Sequence, residues 1–342
     1  MKQGLLLAFF ALSLLITSCG SDNDKDGNWK KGADYSGSGR GGAVSFTIGD
    51  DVYVGLGYSE GDYFASFYKY NNADANWSQA TGFTGTEEEL RRDAVAFSVN
   101  GKGYIGLGVN EDNDRLSDFW EFDPQTKEWS KMEGDKMFPG TARQGAVAFA
   151  FDKNDDGIND VAYVGTGYGF LDGDDRNNLK DFYKFENGVW SDNSTYGGSK
   201  TTEATTFVIG KKAYLVSGDN NLDNVWEFNS ETEAWTQMKD IDKDNNAENV
   251  QRTKAVAFVI DGLAYITTGI GQDSREVWEY KPSKDDWVER NDLENEIFTR
   301  VDAIGISIGG KGFIVTGLSG TIGLSDMWEF EPGVREDDDD ND

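Results

Sequence analysis

Two groups of residues in this chain have the types and spacing to do chemistry. The first is the run Asp152-Lys153-Asn154-Asp155-Asp156-Gly157-Ile158-Asn159-Asp160. Calcium takes six to eight oxygens, and carboxylates on alternate residues converge on one ion when a glycine makes a sharp turn. The competing reading is a solvated acidic loop. The second group is Arg40, Arg91, Arg143, Arg252 and Arg300, each six residues before a recurring large apolar residue. Guanidinium forks bind carboxylates with two hydrogen bonds. In so acidic a chain these arginines either build an anion site or pair with acidic residues of a neighbouring repeat unit, such as Asp62, Asp118, Asp181 and Asp326.

Composition removes other chemistries. The 342 residues include no histidine. Ser-His-Asp and Cys-His catalysis, histidine-bound zinc and histidine proton shuttles are therefore excluded. Cys19 is the single cysteine, so the folded part has no disulfide. A formal net charge of −30 repels phosphate backbones and argues against nucleic acid as a partner.

The elements that position these residues come from a repeat. Alanine stands three residues before a large apolar residue at Ala43/Phe46, Ala94/Phe97, Ala146/Phe149, Ala204/Phe207, Ala255/Phe258 and Ala303/Ile306. Seven residues later comes an aromatic: Tyr53, Tyr104, Tyr214, Tyr265 and Phe313, with Tyr163 displaced by a seven-residue insertion that carries the acidic run. Four further on stands a glycine: Gly57, Gly108, Gly167, Gly218, Gly269 and Gly317. Aromatic strands such as FWEF at 119–122 follow, then Trp77, Trp129, Trp190, Trp235 or Trp287. The sixth unit lacks that tryptophan, and Trp29 at the other end supplies it. Four short strands per unit cannot bury both faces of one sheet, but six sheets packed around a channel bury each other. The expected fold is all-β, a six-bladed propeller over 28–332 closed by the N-terminal strand, with an acidic tail at 333–342.

This pattern resembles the kelch-repeat six-bladed propellers, including the galactose oxidase-like group, although several units keep one glycine of the usual two (Val216-Ser217-Gly218, Thr267-Thr268-Gly269). The copper site of that group needs histidines and a tyrosine crosslinked to cysteine, and this chain offers neither. The acidic run is similar to an EF-hand loop in its first five ligand positions, but Tyr163 stands at the twelfth. It resembles more closely the calcium hairpin of integrin-type propellers. That likeness implies ligands from Asp152, Asn154, Asp156 and Asp160, the carbonyl of Ile158, and a structural calcium ion. In a propeller the arginines would gather near one channel mouth. The variable loops with Tyr58 and Tyr168 would surround the same face, where aromatic rings suit sugars or proteins.

The N-terminus reads as an address. Lys2, the apolar run 5–16 and Thr17-Ser18-Cys19 form a short signal peptide over 1–18. Leu15–Cys19 resembles a bacterial lipobox, which implies lipid on Cys19, a tether over 19–27 and placement on the outer membrane; the acidic stretch Ser21–Asp26 resembles a surface-export signal, with a plain spacer as the alternative. An ordinary secretory signal is the alternative. The resulting expectation is a monomeric, non-catalytic module that binds a glycan or protein. The rival is an enzyme on an anionic sugar, because sialic-acid mutarotases are kelch propellers too.

Overall fold

The computed structural model describes residues 25–170, 176–220, 222–241 and 247–334. The signal peptide, Cys19, most of the tether and residues 335–342 of the tail lie outside them. Six four-stranded antiparallel sheets run in chain order. Blade one comprises Val44–Ile48, Asp51–Gly55, Phe67–Asn71 and Asn76–Gln79. Blade six comprises Ile304–Ile308, Lys311–Val315 and Met327–Glu331, and its fourth strand is Asn28–Lys31 from the chain start. Trp29 pairs with Phe330 there, as Trp77 pairs with Tyr70 in blade one.

The repeat spacing becomes register. Each apolar anchor lies directly across from the aromatic seven residues on: Phe46 from Tyr53, Phe97 from Tyr104, Phe207 from Tyr214 and Phe258 from Tyr265. In blade three the insertion lengthens the first hairpin without disturbing the pair Phe149–Tyr163. Four of the anchors also pack edge-on against the outer tryptophan of the next blade. Ring centroids are 6.2 Å apart for Phe46–Trp129, 6.1 Å for Phe97–Trp190 and 5.9 Å for Phe149–Trp235. Phe258 meets Trp29 at 6.2 Å in the same edge-on arrangement. The core is thus a set of inter-blade aromatic seams, and Trp29 fills the seam between blades five and six.

Inner strands crowd the axis, so their inward residues are small. A channel of about 240 Å³ is lined by Ala96, Ala148, Thr206, Ala257 and Gly305 among others. A Cβ on Gly305 would lie 2.2 Å from the Ala257 carbonyl oxygen, which leaves room for glycine alone. Where the second kelch glycine is replaced, the backbone still adopts the left-handed conformation, as at Ser217 (φ 56°) and Thr268 (φ 65°).

Candidate functional site

The five arginines do not open onto the channel. All are essentially solvent-free, at 0–2% exposure. In each, one guanidinium nitrogen donates to a backbone carbonyl of its own blade: Leu56, Leu107, Thr166, Thr268 or Thr316. Arg91, Arg143 and Arg300 add two bonds each to Asp118, Asp181 and Asp326. Arg40 uses Ser66 instead, and Arg252 uses backbone carbonyls of Asn249 and Glu276. Burial pushes Arg252 down to about 10, so it stays charged at neutral pH. The expected anion site of five arginines is corrected accordingly. They staple inner strands to the loops of their own blades, and the carboxylate partners belong to the same blade rather than a neighbour. Asp62, the fourth expected partner, does not pair with Arg40, which turns to Ser66.

The mouth of the channel is built from the residue just before each anchor alanine: Gly42, Asp93, Gly145, Glu203, Lys254 and Asp302. All six have φ between 53° and 61°. Their amides make five links of a circle: Asp93 N–H donates to the Gly42 carbonyl, Gly145 to Asp93, Glu203 to Gly145 and Lys254 to Glu203, while Gly42 donates to Asp302 at 2.9 Å across the seam of first and last blades. Glycine suits such a backbone best. Two blades keep it, and four carry charged side chains around a cavity of about 140 Å³.

The charges at this mouth are coupled. Lys254 Nζ lies 3.1 Å from Asp302 and 3.4 Å from Glu203. Arg92 pairs with Asp93. Burial, then the charge of Asp93, raises Asp302 to about 6 against the pull of Lys254. Burial also raises Glu203. For Lys254 burial acts downward, but Asp302, Asp93 and Glu203 outweigh it and raise its pKa. A carboxyl poised near neutral in a cleft marks this mouth as a candidate site.

Of the expected aromatic residues, Tyr58 lies beside the mouth, within reach of the charges of Arg92, Asp302 and Asp93, while Tyr168 pairs with Gln144, next to Gly145 in the chain. Tyr58 stacks on Tyr63 at 5.8 Å, and Arg92 lies over Tyr58 at 4.9 Å and donates to the Tyr63 hydroxyl at 3.1 Å. Arg115 covers Tyr168 at 4.8 Å. Both rings are half-buried, held by cations from blade two. Sequence reasoning missed Arg92, Asp93, Glu203, Lys254 and Asp302. The available signal was their shared register with Gly42 and Gly145.

The acidic hairpin lies at the opposite end of its blade, between Val147–Phe151 and Val161–Gly165. Asp152 accepts from the amides of Asp155, Asp156 and Gly157, and Asp160 accepts from Lys153 N–H and the Asn154 amide. Desolvation opposes those amides, yet together with the charge of Lys211 they hold Asp152 below the usual carboxylate range. Among the described residues no three acidic side chains converge as a metal cage. The loop is folded by its own side-chain oxygens, and Ile158 is exposed.

With this geometry in view, comparison with known proteins bears on the fold. The solved structure of YjhT matches with a TM-score of 0.67 over 86% of this chain and 95% of that one, at 16% identity. The fold is a kelch-type propeller. An F-box/kelch-repeat protein of Arabidopsis thaliana is 30% identical over 175 residues, half of this chain and 40% of that protein. N-acetylneuraminate epimerases from two strains of Haemophilus influenzae are each 36% identical over 95 residues, 27% of this chain and 24% of theirs. The chain therefore spans less than half the length of these curated relatives. No family model matches it.

Proposed function

We propose that this propeller binds a glycan at its channel mouth and is held to a bacterial envelope by lipid on Cys19. The observation that carries this reading is the sixfold mouth, where four of six equivalent positions hold charged side chains beside Tyr58. Carboxylates, an ammonium and aromatic faces together match the hydroxyls and apolar faces of a sugar. Calcium belongs to the proposal as a structural ion at Asp152, Asn154, Asp156, the Ile158 carbonyl and Asp160, where it would order the insertion and neutralise its carboxylates. The test is a glycan array on the soluble domain with Glu203→Gln and Tyr58→Ala variants. Loss of the bound glycans in either variant supports the mouth as the site. Binding unchanged in both refutes it.

A second reading, sugar epimerisation or mutarotation on an anionic sugar, draws support from the local likeness to N-acetylneuraminate epimerase and from a proton-holding carboxyl at Asp302. An NMR assay of anomer interconversion of N-acetylneuraminate tests it. The uncatalysed rate in the presence of protein rules it out.

A further inference from the structure

The mouth carries three carboxylates and two cations. Asp93 and Asp302 are nearly sealed, with side chains 7% and 10% exposed, while Lys254 is 20% and Glu203 26% exposed. Gly42 stands between the two aspartates in the amide circle, and a Cβ there would sit 2.9 Å from Asp93 Oδ1. The gap lets Asp93 act on Asp302 across blade one. Blade one gives Gly42 and Tyr58, blade two Arg92 and Asp93, and blade three Gly145. Blades four, five and six give Glu203, Lys254 and Asp302. Asp219 of blade four also faces Glu203 and adds to the negative charge around it.

Arg92 is committed to Asp93, so Lys254 alone supports the charge on Asp302. When Asp302 takes up a proton, the anionic partners left to Lys254 are Glu203 at 3.4 Å and the charge of Asp93. The mouth as a whole becomes neutral, and its one ammonium has lost its nearer partner. A cavity of about 140 Å³ has room for a carboxylate-sized group beside that ammonium.

We propose that the mouth takes the anionic group of its ligand at Lys254 in exchange for the charge of Asp302, so that binding draws in one proton and weakens as pH rises. This rests on the reading of the mouth as the binding site and adds the charge class of the ligand and its regulation. A carboxylate ligand is thereby captured in mildly acidic surroundings and released above neutrality.

The test uses the folded domain with glucuronate as probe and glucose, its uncharged counterpart, as control. Calorimetric titration at about pH 5 and about pH 8 should show glucuronate binding about tenfold or more tighter at the lower pH, because a site that shifts a group's pKa gains affinity by proton linkage. Buffers of different ionisation heat should report net proton uptake on binding, at most about half a proton per ligand at pH 6 and more toward pH 7. Asp302→Asn should hold the tighter affinity across the range, and Lys254→Gln should lose glucuronate selectively. Far-ultraviolet circular dichroism confirms that both variants fold. Glucuronate affinity independent of pH, or unchanged in Lys254→Gln, overturns the inference. So does absence of glucuronate binding at both pH values. The site reading itself stands or falls separately, on the glycan array and its Glu203→Gln and Tyr58→Ala variants.

Discussion

Replacing Asp118 by asparagine isolates the charge of one arginine staple. Arg91 is solvent-free and meets Asp118 through two hydrogen bonds, of 2.7 and 3.1 Å. Trp120 donates to the same carboxylate at 3.0 Å. Burial works to raise the pKa of Asp118, but the bonds and charge of Arg91, with smaller help from Trp120 and from Lys131 at 3.2 Å, overcome it and bring it from 3.8 to about 2. At about 1.4 kcal/mol per pH unit, that depression corresponds to about 2 kcal/mol of stability at neutral pH. Breaking a fully buried ion pair costs about 3–5 kcal/mol. Here the cost is lower, because Arg91 keeps the carbonyls of Leu107 and Glu89, as Arg40 and Arg252 manage with no carboxylate at all. Asp118→Asn should therefore lower stability by about 2 kcal/mol and the melting temperature by about 3–5 °C. The sign with pH follows from a depressed folded-state pKa. The wild-type advantage is complete above about pH 4 and disappears as pH falls through about 2. Urea denaturation of both proteins across that range measures it. A loss below about 0.5 kcal/mol, or one that persists undiminished at about pH 2, refutes the assignment of the stabilisation to this ion pair.

Two further outcomes are expected. Deleting residues 28–32 removes Trp29 from its seam with Phe258 and Phe330 and uncovers the edge of Met327–Glu331. Loss of a buried tryptophan alone costs about 3–5 kcal/mol, and an open edge promotes aggregation. Light scattering and thermal denaturation should show a less stable, self-associating protein, and a stable monomer would overturn the role given to this strand. For the acidic hairpin, millimolar calcium should raise the melting temperature of metal-stripped protein, by about 2.7 kcal/mol of stabilisation at a hundredfold excess over the dissociation constant. Asp152→Ala/Asp156→Ala should not respond, and a wild type without heat or thermal shift on titration leaves a solvated loop.

The sequence by itself determined the architecture. Spacings that recur six times set strand length, register and blade number, because each anchor must face its aromatic partner and pack against the next blade at once. The displaced Trp29 was legible for the same reason: one position in an otherwise complete pattern stood empty. Absence of histidine was equally decisive, since a missing side-chain type excludes its chemistry in any fold. The tertiary structure alone decided where charge ends up. Arg91 and Lys254 both precede inner strands and look equally available in the sequence. Yet the six-residue lead before the anchor turns Arg91 back under its own blade, where carbonyl oxygens capture it. The residue next to the alanine is instead turned by a left-handed backbone toward the axis. Pairing of Lys254 with Asp302 and Glu203, and the confrontation of Asp93 with Asp302 across Gly42, arise from residues about 50 to 210 positions apart in the chain. Their pKa values depend on burial and on those neighbours, quantities that come into being when the ring closes.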